Sequence, residues 1–285
     1  LSVANCLKVK AKRIVIKIGT NVLHRSNGKL DYKLITELAG QITNIRGRGH
    51  EVLVVSSGSV GAGRELFSLD ESNNTLASHQ ILASVGQARL IQIYADAFRE
   101  HKITVAQILL TRGDFGLRQS YLNIRNTLEN LLKYKIVPIV NENDVVATEE
   151  LDLNFGDNDL LAVYLATLIG ADQLFFLTVA PGLLKEETTV EGKRSVVVEK
   201  VHKLTDEILK HCLPVTSAGG KGGMESKVRS AGMAMSFGID TYIIDGESPA
   251  GVSNIMEGRS QGTHFVANGR KIRSYQKWLA AGALN

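Results

Sequence analysis

Arg13-Ile-Val-Ile-Lys-Ile-Gly-Thr20 is a short, nearly continuous apolar run that ends on a glycine and carries one lysine inside it. Such a run is the signature of a strand buried on both faces, the kind found in parallel sheets. Five further runs repeat the pattern: Glu51 to Ser56, Thr104 to Leu110, Ile136 to Val140, Gln173 to Leu177 and Thr241 to Ile244. Between them lie amphipathic stretches of helical length, Tyr32 to Arg48, His79 to Glu100, Gln119 to Lys133 and Glu225 to Phe237. That alternation predicts an α/β fold, an α/β/α sandwich with a mainly parallel central sheet of six or more strands. The turn-rich segment Thr148 to Asp157 and the stretch Lys185 to Arg194 each read as a loop or a small hairpin, and the first roughly separates two halves.

Composition narrows the class. The chain has 285 residues, 44% hydrophobic and 22% charged, which fits one large domain or two intimate lobes and rules out disorder. The longest apolar stretch, Leu160 to Ile169, is far shorter than the roughly 20 residues of a spanning helix, and no charged-then-apolar leader opens the chain. The expectation is a soluble, cytoplasmic protein with no membrane partner. Cys6 and Cys212 are too few for a disulfide framework and have no metal-ligand spacing. The net charge of +4 is scattered, clustering only at Lys8 to Arg13 and Arg270 to Lys277, and aromatics are 6% and dispersed. A nucleic-acid face, which interleaves basic and aromatic side chains, is not expected.

Ligands of open α/β sheets bind beyond the carboxyl ends of the strands, so the residues following each strand carry the functional reading. After the first comes Lys17-Ile-Gly19. A lysine in an apolar strand either meets an anion or snorkels to solvent, and both readings stand at this point. After the second comes Ser56-Ser57-Gly58-Ser-Val-Gly61-Ala-Gly63, where glycines admit an anion to a helix N-terminus or serve only a tight turn. A dinucleotide site is disfavoured, because Leu66 stands where the fingerprint needs its last glycine.

Asn141-Glu-Asn-Asp144 follows the fourth strand, and Gly156-Asp-Asn158-Asp159 opens the next helix. Capping accounts for one of the polar residues before that helix, not for three in a row plus the earlier quartet. Gly219-Gly-Lys221-Gly222-Gly223-Met224-Glu225-Ser226-Lys227 runs into a helix with the chemistry to cradle phosphates. It is not a P-loop, since Val215 occupies the position of the required glycine.

These pieces, in this order and each after a strand, resemble the amino acid kinase family over nearly the whole chain, and within it the members that phosphorylate glutamate. The resemblance rests on residues 17–23, 56–60, 84–90, 108–112, 136–144, 156–159 and 222–227. Relatives acting on acetylglutamate or uridylate share the lysines and glycine loops but not the Asn-Glu-Asn-Asp and Gly-Asp-Asn-Asp pair. The resemblance implies that Lys17 and Lys227 contact the transferring phosphoryl group and that Asp159 holds the two ammonium groups. It implies that Ser57, Gly58, Asp144 and Asn158 bind glutamate. For ATP it implies Lys17, Gly19, Thr178, Val179 and the Lys221 to Lys227 segment, with Mg²⁺ bridging the phosphates and no metal ligand on the protein itself.

It further implies a single kinase domain over 1–285, glutamate-binding over about 1–170 and ATP-binding over about 171–285; the C-terminal RNA-modification-type domain into which many bacterial relatives continue is not expected in this sequence. A homo-oligomer, proline as a feedback inhibitor and a place at the first step of proline biosynthesis belong to the same expectation. The chain departs from the family where Val179 follows Thr178, a position usually held by aspartate, and where the later Asp-Pro is missing. A kinase for another acceptor and a non-catalytic nucleotide or amino-acid sensor are the rival readings. Lys17, Asp159 and Lys227 together argue for a kinase.

Overall fold

The structure is a computed structural model that describes residues 11–25, 28–69, 75–146, 158–189, 192–212, 223–248 and 250–268. In chain order the elements are β1 (Arg13–Ile18), α1 (Thr20–Leu23), α2 (Tyr32–Gly47), β2 (Glu51–Ser56), α3 (Ser59–Leu66), α4 (Leu76–Arg99) and β3 (Val105–Leu110). Next come α5 (Gly113–Gly116), α6 (Arg118–Lys133), β4 (Val137–Glu142), α7 (Asn158–Ile169), β5 (Gln173–Thr178), β6 (Leu184–Thr189) and β7 (Gly192–Val197). The chain continues through β8 (Lys200–Val201), α8 (Asp206–Lys210), α9 (Met224–Ser236), β9 (Asp240–Asp245), α10 (Gly251–Met256) and β10 (Thr263–Phe265).

Eight strands form one sheet in the order β3-β4-β2-β1-β5-β9-β10-β8. All neighbours are parallel except β9 and β10, which run antiparallel. The six strands read from the sequence are all present, and the mainly parallel sandwich holds. β8 and β10 extend the sheet at one side, and within the stretch read as a loop or small hairpin β6 and β7 pair antiparallel. The Thr148 to Asp157 segment falls outside the described residues.

The apolar runs are continuous because alternate residues serve two cores. Val15, Leu53, Val55, Leu174, Phe176 and Ile243 pack on one face against α6, α7 and α9. Ile14, Ile16, Val52, Val54, Phe175 and Ile244 pack on the other against α2, α4 and α10. Leu160 to Ile169, the longest apolar stretch, lies within α7, whose residues are buried almost all round, as expected of a helix clasped between a sheet and other helices. Among the described residues no helix is long and apolar enough to cross a membrane.

Helix starts follow local chemistry. The Asp31 carboxylate accepts from the Lys33 and Leu34 amides at 3.1 and 3.2 Å, and the Thr75 hydroxyl accepts from the Ser78 amide at 3.2 Å. α3 begins instead at Gly58, whose φ of +110° suits only glycine. α3 and α4 then touch backbone to backbone. A Cβ on Gly86 would land on the Ser59 carbonyl and the Gly63 amide, and one on Gly63 on the Leu82 carbonyl. Gly86→Ala is therefore expected to lower unfolding stability by about 1–3 kcal/mol, read as a reduced urea midpoint with an unchanged slope.

Candidate active site

β1 is central, and the strand order runs outward from it in both directions, β2 on one side and β5 on the other. Open sheets offer their binding crevice at such a reversal. Beyond the carboxyl ends of β1 and β5, the Gly19 amide donates to the Leu177 carbonyl at 3.3 Å. A Cβ on Gly19 would stand 3.4 Å from that carbonyl and 3.9 Å from the Lys17 ammonium nitrogen. Glycine thus leaves the top of Lys17 uncovered on that side.

Lys17 does not snorkel. Its alternation in β1 turns it toward the α7 and α9 face, where it is 3% exposed, and its Nζ lies 2.5 Å from Asp159 Oδ1. Asp159, in the first turn of α7, is fully buried, and its other oxygen accepts from Lys227 Nζ at 3.1 Å. Lys227 lies at the start of the buried stripe of α9 that continues through Val228, Ala231 and Ala234. Burial alone would push the Asp159 carboxyl up, but the Lys17 and Lys227 ammonium groups outweigh it and hold the carboxyl below the usual aspartate range. One buried carboxylate thus pairs with two buried ammonium groups.

A second cluster adjoins it. The Asn158 amide nitrogen donates to Ser57 Oγ at 2.8 Å and to Asn141 Oδ1 at 3.0 Å, and the Asn141 amide nitrogen donates to Gln87 Oε1 at 2.9 Å. Asn158 Oδ1 is buried with no hydrogen-bond partner among the described residues. Ser59 Oγ donates to Asp144 Oδ2 at 2.8 Å, which ties the loop after β4 to α3. The site thus draws Ser57 and Gly58 from the end of β2, Asp144 from beyond β4, and Asn158 with Asp159 from one helix turn. Since Asn158 and Asp159 are consecutive, the two clusters are joined by covalent structure.

On the other side of β1, Thr178 ends β5 and is buried, whereas Val179 is 49% exposed. Gly223 precedes α9 and, as a glycine, caps it with no side-chain hydrogen bond. Glu225 does not join the lysines. It pairs with Arg229, one turn along α9, at 2.7 Å, and with Ser226 it lines a separate cavity of about 550 Å³ between α7 and α9. Leu110, Arg112, Glu142 and Tyr164 line the same cavity. Lys221 and Gly222, expected on the nucleotide side, lie outside the described residues, and Met224 opens α9. Among the described residues no group of three or more His, Cys, Asp or Glu side chains is arranged to hold a metal ion.

Sequence reasoning missed Gln87 and the pairing partner Ser59. Both sit within stretches that carried the resemblance, but neither residue type signals a role by itself.

Comparison with known proteins identifies the family. The profile of the amino acid kinase family matches residues 12–245. A glutamate 5-kinase of Thermoanaerobacter sp. (strain X514) is 39% identical over 271 residues, covering 95% of this chain and 72% of the relative. That of Chlorobaculum tepidum is 41% identical over 269 residues, covering 94% and 73%, and that of Salmonella newport 38% over 269 residues, covering 94% and 72%. Among solved structures, a UMP kinase from Bacillus anthracis superposes with a TM-score of 0.58 over 90% of this chain and 97% of its own, at 14% identity, a likeness of fold. On the strength of the matched profile and these relatives, whose length it spans by more than two thirds, the chain belongs to the amino acid kinase family.

Proposed function

We propose that this protein transfers the γ-phosphoryl group of ATP to the side-chain carboxylate of L-glutamate, giving ADP and L-glutamyl 5-phosphate, the first step of proline biosynthesis. The observation that carries the reading is the buried Lys17–Asp159–Lys227 group adjoining the Ser57, Asn158 and Asp144 cluster. The relatives named above are glutamate 5-kinases, and the identity to them extends over 94–95% of the chain.

The chemistry suits these residue types. A glutamate side chain with an ordinary pKa of about 4.3 is already ionised at neutral pH, so the nucleophile needs no general base. Asp159, held below the usual aspartate range, stays an anion throughout and orients the lysines without moving a proton. As the carboxylate oxygen bonds to the γ-phosphorus, the bond to the bridging oxygen breaks and charge spreads over the phosphoryl oxygens. Lys17 and Lys227 neutralise that charge from fixed positions, the kind of preorganised electrostatic contribution that dominates phosphoryl transfer.

On the acceptor side, Asp144 and the unpartnered Asn158 Oδ1 are acceptors for an α-ammonium group, and Ser57 offers a hydroxyl to the α-carboxylate. On the nucleotide side, Thr178, Val179, Gly19 and the Lys221 to Lys227 segment hold ATP. Mg²⁺ commonly binds through substrate phosphates with few protein carboxylates, so it would come with the nucleotide and would supply charge neutralisation there. Proline, a cationic nitrogen beside a carboxylate, is the inhibitor of the same reading, and a cytoplasmic homo-oligomer its form.

The test is ADP release with Mg-ATP and L-glutamate, aspartate, acetylglutamate, uridylate or no acceptor. Glutamate-dependent release with an acyl phosphate trapped by hydroxylamine is expected. Release that follows another acceptor, or none with a folded protein that binds glutamate, would overturn the reading.

A further inference from the structure

We propose that Gln87 is a positioning residue that fixes the direction of a hydrogen-bond chain ending on Ser57, and thereby makes that serine a donor to the substrate. The inference rests on the kinase reading above and concerns a residue that touches no reactant. Gln87 lies on α4, half-buried, two turns before Tyr94 on the same side of the helix.

The direction of the chain follows from the amide groups. Gln87 Oε1 accepts from Asn141 Nδ2, so the planar Asn141 amide presents its oxygen away from Gln87. That oxygen accepts from Asn158 Nδ2, which also donates to Ser57 Oγ. Having accepted, Ser57 keeps its single O–H for another partner, and Asn158 keeps Oδ1 as a buried acceptor. A donor at Ser57 beside an acceptor at Asn158 matches an α-carboxylate beside an α-ammonium. Reversed, the chain would commit the Ser57 proton to Asn158 and turn hydroxyl lone pairs toward the carboxylate.

α4 also braces the Ser57 backbone. The Tyr94 hydroxyl lies 2.8 Å from Ser56 Oγ, which donates to the Ser57 carbonyl at 2.9 Å. Burial keeps that tyrosine protonated, well above its usual range despite the Ser56 contact. Two side chains of one helix therefore set where Ser57 sits and which way its hydroxyl points.

The test compares steady-state kinetics of the full chain with Gln87→Glu, which can only accept, Gln87→Lys, which can only donate, and Gln87→Leu, which does neither. KM for glutamate is expected to rise about tenfold to hundredfold in the lysine and leucine variants, with kcat and KM for ATP changed less than about threefold. The glutamate variant, which preserves the direction, is expected within about threefold of wild type in KM for glutamate. Equal KM for glutamate in all four proteins would overturn the assignment, as would an equal loss in all three variants or a fall in kcat at constant KM. If the wild type releases no ADP with glutamate, the parent reading falls, and glutamate dissociation constants from calorimetry then decide the relay by the same ranking.

Discussion

Asp159→Asn is expected to cost this protein about 3–5 kcal/mol of stability, on the order of 6–20 °C in Tm, although asparagine is nearly isosteric. Nothing is cut away, so the loss is not a cavity. Lys17 and Lys227 are 3% and 6% exposed, and the substitution removes the carboxylate to which both ammonium groups are paired, at 2.5 and 3.1 Å. Their relief is for one to lose its proton, and a neutral amine cannot stabilise phosphoryl oxygens. Turnover should therefore fall with stability, by roughly 10²- to 10³-fold in kcat.

The pH dependence of the wild type has a definite sign. Because the folded Asp159 carboxyl titrates below its ordinary value of 3.8, its contribution is complete above that value and is lost only as pH falls toward the folded one. Between pH 6 and 9 a kcat profile should show no limb from this group. A Tm for Asp159→Asn within about 2 °C of wild type would mean that the pair of lysines does not depend on the carboxylate.

Lys227→Met is expected to lower kcat by about 10³-fold while leaving KM for glutamate within about threefold. Methionine keeps the length and packing of the aliphatic stem along α9, whose neighbouring buried positions are Val228, Ala231 and Ala234. What is removed is the ammonium, and with it a charge aimed at oxygens that gain charge only as the reaction proceeds. Pre-steady-state mixing with excess ATP and glutamate separates this from slow product release. Unchanged turnover with a weakened glutamate KM would remove Lys227 from the transition state and make it a ligand of the acceptor. Asp159→Asn and Lys227→Met share one group, so their effects should combine to less than their sum.

The sheet was legible because each buried strand is a run of apolar residues that feeds two cores at once, as Ile14, Val15 and Ile16 do. β8 and β10, of two and three residues, are too short to show any period, and they are placed by tertiary pairing alone, β10 on β9 and β8 on β10. Lys185 to Arg194 fits loop or strand equally in the sequence, because Lys185-Glu-Glu187 is charged on both faces, and only the pairing of β6 with β7 decides it.

At the site, the ambiguity over Lys17 was one of direction, and only tertiary packing says that its side chain turns inward to Asp159. Glu225 pairs with Arg229 one turn along α9, a contact that the four-residue spacing makes readable in the sequence. Gln87 gave no signal, since a glutamine on an amphipathic helix is ordinary and its partner Asn141 is 54 residues away in sequence.

The position of Lys17 in β1 has a dynamic consequence. β1 is hydrogen-bonded on both sides, to β2 and to β5, and is covered by helices above and below. Backbone amides of such a strand exchange with solvent only when the whole molecule opens, whereas loop amides exchange through local fluctuations. The ammonium group that meets the phosphoryl oxygens is thus mounted on the last part of the chain to come apart, and heating should abolish catalysis and structure together rather than one before the other.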